Sequence, residues 1–187
     1  MSLASGPVLL RPFQRNDIDR QREYFKDPEL PWLDSNSPRG YAEIDLEELM
    51  DTDAAKERHV VALGIEVDGQ YVGFCRLLHT ANPNGVFEIG INIGDRRYWN
   101  KGVGKVVTRM LLAHGFNDLG ANEIELTTNS MNQRALRCFE ACGFAEKNRP
   151  KRIPYESEWA ELIEMSIDCA TWRALAPYPA NTTVSTF

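Results

Sequence analysis

Residues 60–93 constrain this chain most. Val60–Val67 and Tyr71–His79 are β-rich runs joined by Asp68-Gly69, and Asn82-Pro83-Asn84-Gly85 then leads into Val86–Ile93. Asp-Gly between two such runs is a hairpin signal, because both residues accept the positive φ of a type I′ turn. The three runs predict an antiparallel meander. Gly90, inside the third, predicts a bulge or a close backbone approach. Directly afterwards Val103, Val106, Val107, Met110, Leu111 and His114 recur at helical spacing, with Gly115 or Gly120 near the end of a helix that packs on the sheet.

The flanking segments complete one α/β (α+β) domain. Val8–Phe13 predicts a strand, and Asp17 the N-cap of a following helix. Pro28–Pro38 predicts a loop, with an exposed helix after it carrying Tyr41, Ile44, Leu46 and Leu49. Glu123–Thr128 predicts a strand. Ser130 with Gln133 predicts a capping box for a helix that turns Leu136 and Phe139 inward and ends at Cys142, with Gly143 left-handed and Phe144 making the apolar contact. After a basic, proline-containing loop a last strand covers Trp159–Ile167. The expected architecture is a mixed, mostly antiparallel central sheet flanked by helices over residues 1–176, with 177–187 a flexible tail.

With 187 residues, 43% of them hydrophobic, the chain suits a single domain that buries its own core without disulfide or metal staples. It carries 21 Lys and Arg against 27 Asp and Glu, a formal charge of −6. That balance argues against a nucleic-acid partner, which requires clustered cations to displace counterions. No apolar run approaches the roughly 20 residues of a membrane span, and the start lacks a basic stretch followed by an apolar one. A cytoplasmic protein without a membrane partner is expected. Cys75, Cys138, Cys142 and Cys169 form no C-x-x-C pair and are read as reduced thiols. His59, His79 and His114 fall on different elements, giving neither a metal site nor a Ser-His-Asp triad. None of these features reports on oligomeric state.

Between the third strand and its helix stands Trp99-Asn100-Lys101-Gly102-Val103-Gly104-Lys105. Two glycines at this spacing let backbone N–H groups approach a ligand, and a helix N-terminus favours an anion such as phosphate. The same pair also serves as a plain tight turn. A Walker A loop requires glycine where Trp99 stands and Ser or Thr where Val106 stands, and a Rossmann fingerprint requires glycine at Val107. Both spacings fail, so a nucleotide switch rests on Gly104-Lys105 alone.

Together, the strand, Trp99-Asn100-Lys101-Gly102-Val103-Gly104, the amphipathic helix, the next strand, Asn132, its helix and Gly143-Phe144 resemble the GNAT acetyltransferase superfamily. They most nearly resemble its ribosomal-protein alanine/serine N-acetyltransferase branch. The superfamily loop usually begins with Gln or Arg where this chain has Trp99, whereas Trp-x-Lys-Gly-x-Gly or Ala resembles that branch. The resemblance spans residues 8–167 in element order, with its specific motifs between Glu88 and Phe144. It implies a GNAT-like domain that uses acetyl-CoA as cosubstrate, needs no metal, and acetylates an amine by direct attack.

By that resemblance, the pyrophosphate lies on the backbone amides of Lys101, Gly102, Val103, Gly104 and Lys105, and the pantetheine pairs with the third meander strand at Ile91 and Ile93. Lys101 and Lys105 add charge there or stand as solvated helix-end lysines. An N–H of Ile91 or a neighbour donates to the thioester oxygen as charge develops. Asn132 is a cofactor hydrogen-bond partner or a local helix cap. Glu88 matches a strand position that often carries a catalytic glutamate. Flanked by Phe87 and Ile89, it is expected to be partly buried and basic enough to take the amine proton, the alternative being an outward-facing strand carboxylate. The general acid is unassigned, because the usual tyrosine is Phe139 here and a hydroxyl frequent in the branch is replaced by Ala135. Tyr155, Ser130 and Cys138 are donors by type, with Cys138 expected in the core, and a CoA thiolate can also leave unassisted.

The favoured acceptor is a protein N-terminal amine. Aminoglycosides, polyamines or amino acids are the alternative, and a CoA-binding module without catalysis is a third reading, motivated by Phe139 and Ala135. Trp32, Tyr41 and the acids from Glu43 to Asp53 stand where this fold places its substrate-side helices. They suit a cationic amine or an exposed helical face.

Overall fold

The computed structural model describes residues 2–33, 60–80, 82, 84–147, 151–155, 158–175 and 183–185. The predicted meander is present: β3 (Val60–Val67), β4 (Gln70–His79) and β5 (Val86–Ile93) pair antiparallel in sequence. Asp68 and Gly69 both take positive φ, 50° and 76°, as a type I′ turn requires. The bulge lies elsewhere than at Gly90. It falls in β4, where Tyr71 opposes Glu66 and Gly73 opposes Ile65, leaving Val72 as the extra residue. The extra residue resets the alternation, so Tyr71 and Phe74 both turn their rings toward Phe13. No backbone crowds Gly90 either: the atoms a Cβ there would meet belong to the Arg76 side chain, the nearest being Nε at 2.9 Å.

β1 (Ser2–Ser5) and β2 (Val8–Arg11) extend the sheet beyond β3, and β6 (Glu123–Asn129), β7 (Ala145–Glu146), β8 (Lys151–Tyr155), β9 (Glu158–Asp168) and β10 (Thr183–Ser185) complete it. The strand order is β10-β1-β2-β3-β4-β5-β6-β9-β7, with β8 also on β9. Among the described residues only β5 and β6 run parallel; the other pairs are antiparallel. One expectation is corrected here: the basic loop before the last strand contains β8, because the 11-residue β9 offers an edge long enough to template it. Thr183–Ser185 pairs with the edge of β1.

Helix α1 (Arg15–Phe25) begins one turn earlier than an Asp17 cap predicts. Gln14 is the N-cap, and Asp17 closes the capping box by accepting from Gln14 N at 2.7 Å while binding the Arg11 guanidinium. The expected loop at Pro28–Pro38 holds a single turn, α2 (Glu29–Leu33). The expected helix around Tyr41–Leu49 lies outside the described residues. Helix α3 (Val103–Ala113) continues through a π-turn to Asp118, and α4 (Gln133–Glu140) is followed by Gly143 at φ 96° with Phe144 packed on Phe139. A last helix, α5 (Cys169–Ala174), stacks Trp172 on Phe116.

The main core lies on one face of the sheet, where Leu10, Ile65, Leu77, Ile124 and Leu126 meet Val107, Met110, Leu111 and Leu112 of α3. On the opposite face Phe13, Phe25, Tyr71 and Phe74 form an aromatic cluster beside α1. There Gln21, fully buried, donates to Asn92 Oδ1 and accepts from the Tyr71 hydroxyl, which satisfies both ends of its amide.

Candidate active site: a splayed strand pair and a helix N-terminus

The parallel pair β5–β6 is where the sheet opens. β5 and β6 are in register only at Val86–Glu88 with Glu123–Glu125, after which β5 continues to Ile93 and β6 to Asn129 without pairing to each other. One edge of each strand therefore faces a V-shaped cleft. Gly94 N donates to Val72 O and Thr80 N to Val86 O, so the even-numbered positions of β5 exchange hydrogen bonds with β4. By the same alternation Ile89, Ile91 and Ile93 aim their backbone groups at the cleft. Ile91 and Ile93 thus stand where a linear amide-bearing ligand would complete the ladder.

At the mouth of the cleft, Asn100 and Gly102 are left-handed, φ 57° and 81°, and Gly102 is the N-cap of α3. Gly102 brings no side chain to cap the helix, and the first intrahelical bond is Val106 N to Gly102 O at 3.1 Å. The amides of Val103, Gly104 and Lys105 are left without intrahelical acceptors, at the positive end of an 11-residue helix. Such an arrangement suits a pyrophosphate. Lys101 is exposed and lies over the Tyr98 ring, while Lys105 is half-buried.

The contact made by Trp99 and the places of Arg134 and Arg96 at this mouth escaped the sequence reading. Trp99 donates its indole N–H to Ile93 O at 2.7 Å, tying the loop to the open strand. The Arg134 guanidinium stacks on the Trp99 ring at 3.5 Å, and Arg96 lies 5.0 Å from the same ring. Burial holds Arg134 below the ordinary guanidinium value. A usable signal existed: a cation in the first turn of α4 opposes the helix dipole, so something other than helix stability places it there.

Glu88 sits at the vertex, in the last registered pair, with Glu125 as its partner position. Its side chain is 31% exposed and pairs with Arg76 at 3.2 Å. The partial burial is as expected, but Phe87 and Ile89 point to the opposite face, so they do not enclose the carboxylate. Glu125 in turn binds Lys147 at 2.9 Å, and Lys147 also binds Glu123, which holds the Glu123 carboxyl below its usual range.

Asn132, rather than Ser130, is the N-cap of α4: its Oδ1 accepts from Ala135 N at 3.1 Å, and its Nδ2 donates to Leu33 O at 3.1 Å. Gln133 reaches back to Ser130 O instead of to a cap amide. Phe139 packs edge-on against Phe144 and offers no proton. Cys138 is half-buried against the loop, since a Cβ on Gly104 would stand 3.4 Å from its sulfur. The neighbouring Cys142 thiol, Thr108, Lys105 and Arg109 lower Cys138 to about 7, while that hydrogen bond and burial raise Cys142. Among the described residues no His, Cys, Asp and Glu cluster could hold a metal ion, and no helix is long and apolar enough to cross a membrane.

The family model described as an acetyltransferase (GNAT) domain matches residues 8–145. The chain belongs to the GNAT acetyltransferase family. Its fold is shared by a GNAT-family acetyltransferase from Bacillus anthracis, at 22% identity and a TM-score of 0.70, covering 90% of this chain and 98% of that one. A spermidine N-acetyltransferase from Vibrio cholerae, in complex with CoA and spermine, superposes with a TM-score of 0.75 at 18% identity over 90% of this chain and 99% of its own. An aminoglycoside acetyltransferase in complex with coenzyme A gives 0.66 at 18% identity, covering 89% and 97%. No curated protein matches the chain significantly in sequence. As a GNAT domain it is an acetyl-CoA-dependent N-acetyltransferase, with acetyl-CoA as cosubstrate.

Proposed function

We propose that this GNAT domain acetylates a protein N-terminal amine in the cytoplasm, as a member of the ribosomal-protein N-acetyltransferase branch. Acetyl-CoA is read into the cleft, with its pyrophosphate on the amides of Val103, Gly104 and Lys105 and its pantetheine along Ile91 and Ile93. The acceptor nitrogen attacks the thioester carbonyl carbon, an N–C bond forms, and the C–S bond breaks as the CoA thiolate leaves. Ile91 N–H steadies the negative oxygen of the tetrahedral intermediate. Glu88 takes the amine proton, directly or through one water.

The observation that carries the choice of acceptor is the Glu88–Arg76 pair. With its charge already balanced by Arg76, Glu88 offers a lone pair to a proton rather than a counter-charge to a permanently cationic amine. An α-amine with a pKa of about 7.7–8.0 is roughly a tenth to a sixth neutral at pH 7, whereas a lysine-like amine near 10.4 is almost wholly protonated. Trp99-Asn100-Lys101-Gly102-Val103-Gly104 adds the resemblance to the branch. A second reading, a small polycationic amine, is favoured by the adjacent carboxylates Glu88 and Glu125 at the vertex.

Acetyl-CoA-dependent thiol release decides between them, with an alanine-initiated peptide, spermine and ribostamycin as acceptors. The peptide should give the highest kcat/KM, by at least about tenfold. A preference for spermine or ribostamycin would replace this reading with the second, and acetyl-CoA binding without turnover would leave a CoA-binding module.

A further inference from the structure

Helix α2 is a single turn, too short to hold itself. Its position is set from both ends by residues distant in sequence. At its start Arg96, just ahead of the Trp99 loop, binds Asp27 through two nitrogens and Glu29 through a third, at 2.5–2.6 Å. At its end Asn132 Nδ2 donates to Leu33 O at 3.1 Å. Between these points α2 packs against β6, whose Leu126–Asn129 edge lines the open cleft. The two ends are unequal. Arg96 is 48% exposed, and exposed ion pairs contribute little. The Asn132 bond is part-buried and comes from a side chain whose other end is fixed by capping α4.

We infer that Asn132 is a positioning residue for the acceptor side: both ends of its amide are engaged, and it holds α2 as a wall of the cleft. This rests on the cleft being the acetyl-transfer site. It departs from the cofactor-ligand role that the resemblance implies for Asn132, because one N–H and one lone pair of its amide are already committed to Leu33 O and Ala135 N.

Asn132→Asp separates the two roles, because a carboxylate still accepts from Ala135 N–H but no longer donates to Leu33 O. Acetyl-CoA affinity of the full chain, by calorimetry, should stay within about twofold. Amide exchange over residues 29–33 should quicken about fivefold, the worth of one part-buried hydrogen bond. With whichever of the alanine-initiated peptide, spermine or ribostamycin turns over fastest, KM for the amine should rise about fivefold while kcat stays within about twofold. Asn132→Ala should add faster exchange at Ala135, which Asn132→Asp leaves slow. Acetyl-CoA affinity lowered about tenfold in Asn132→Asp, with exchange in 29–33 unchanged, would make Asn132 a cofactor ligand and overturn the inference. Absence of every effect would overturn it too. Failure of the unchanged protein to acetylate any of the three amines would count against the proposed acceptor chemistry, while exchange and affinity still decide the role of Asn132.

Discussion

The indole N–H of Trp99 donates to the backbone oxygen of Ile93 at 2.7 Å, so the loop that opens α3 is pinned to the unpaired edge of β5. This one bond sets the phosphate end of the cleft against the strand that receives the rest of the cofactor. Trp99→Phe keeps a ring for Arg134 to stack on but deletes the donor. Acetyl-CoA affinity should fall about fivefold, measured by calorimetry, with the urea midpoint lowered only slightly.

Glu88→Gln should lower kcat about 10²–10⁴-fold, the usual worth of a general base, and leave acetyl-CoA affinity within about twofold. Unchanged turnover across pH would remove Glu88 as the base.

Gly102→Ala places a Cβ at φ 81°, where nothing crowds it within 4 Å but the backbone conformation itself disfavours any L side chain. A loss of about 1–2 kcal/mol of stability is expected in urea unfolding. Acetyl-CoA affinity should weaken as well, because relief of that strain turns the amides of Val103 and Gly104 away.

Cys138, lowered to about 7 by the Cys142 thiol and the cations Lys105 and Arg109, should be the first thiol to react. Cys75, by contrast, is fully buried and pushed up. Alkylation by iodoacetamide, followed by peptide mass spectrometry, should reach half its maximal rate near pH 7 at Cys138. Being an acid, the thiol is protonated and slow below that value and ionised above it. Because its sulfur lies against Gly104, bound acetyl-CoA should slow the reaction.

The sheet was legible where local chemistry dictated it. Asp68-Gly69 needs positive φ at both residues, and the structure supplies it; Gly143 and Phe144 close α4 as the pattern requires. The bulge was misplaced because its cause is not local: Gly73 lies so close to β5 that a Cβ would meet Asn92 O. Helix α2 has no periodicity to read. Its tethers run from Arg96, 69 residues from Asp27, and from Asn132, 99 residues from Leu33. At the site, Gly102-Val103-Gly104 announced a helix N-terminus. The stacking of Arg134 on Trp99 joins two elements that only the folded sheet brings together.

The most direct test of the cleft as cofactor site is a backbone amide spectrum of the ¹⁵N-labelled protein titrated with acetyl-CoA. Ile91, Ile93, Val103, Gly104 and Lys105 should show the largest saturable shifts, those of the last three reproduced by inorganic pyrophosphate at higher concentration. Saturable binding that leaves these five amides unmoved would contradict the account.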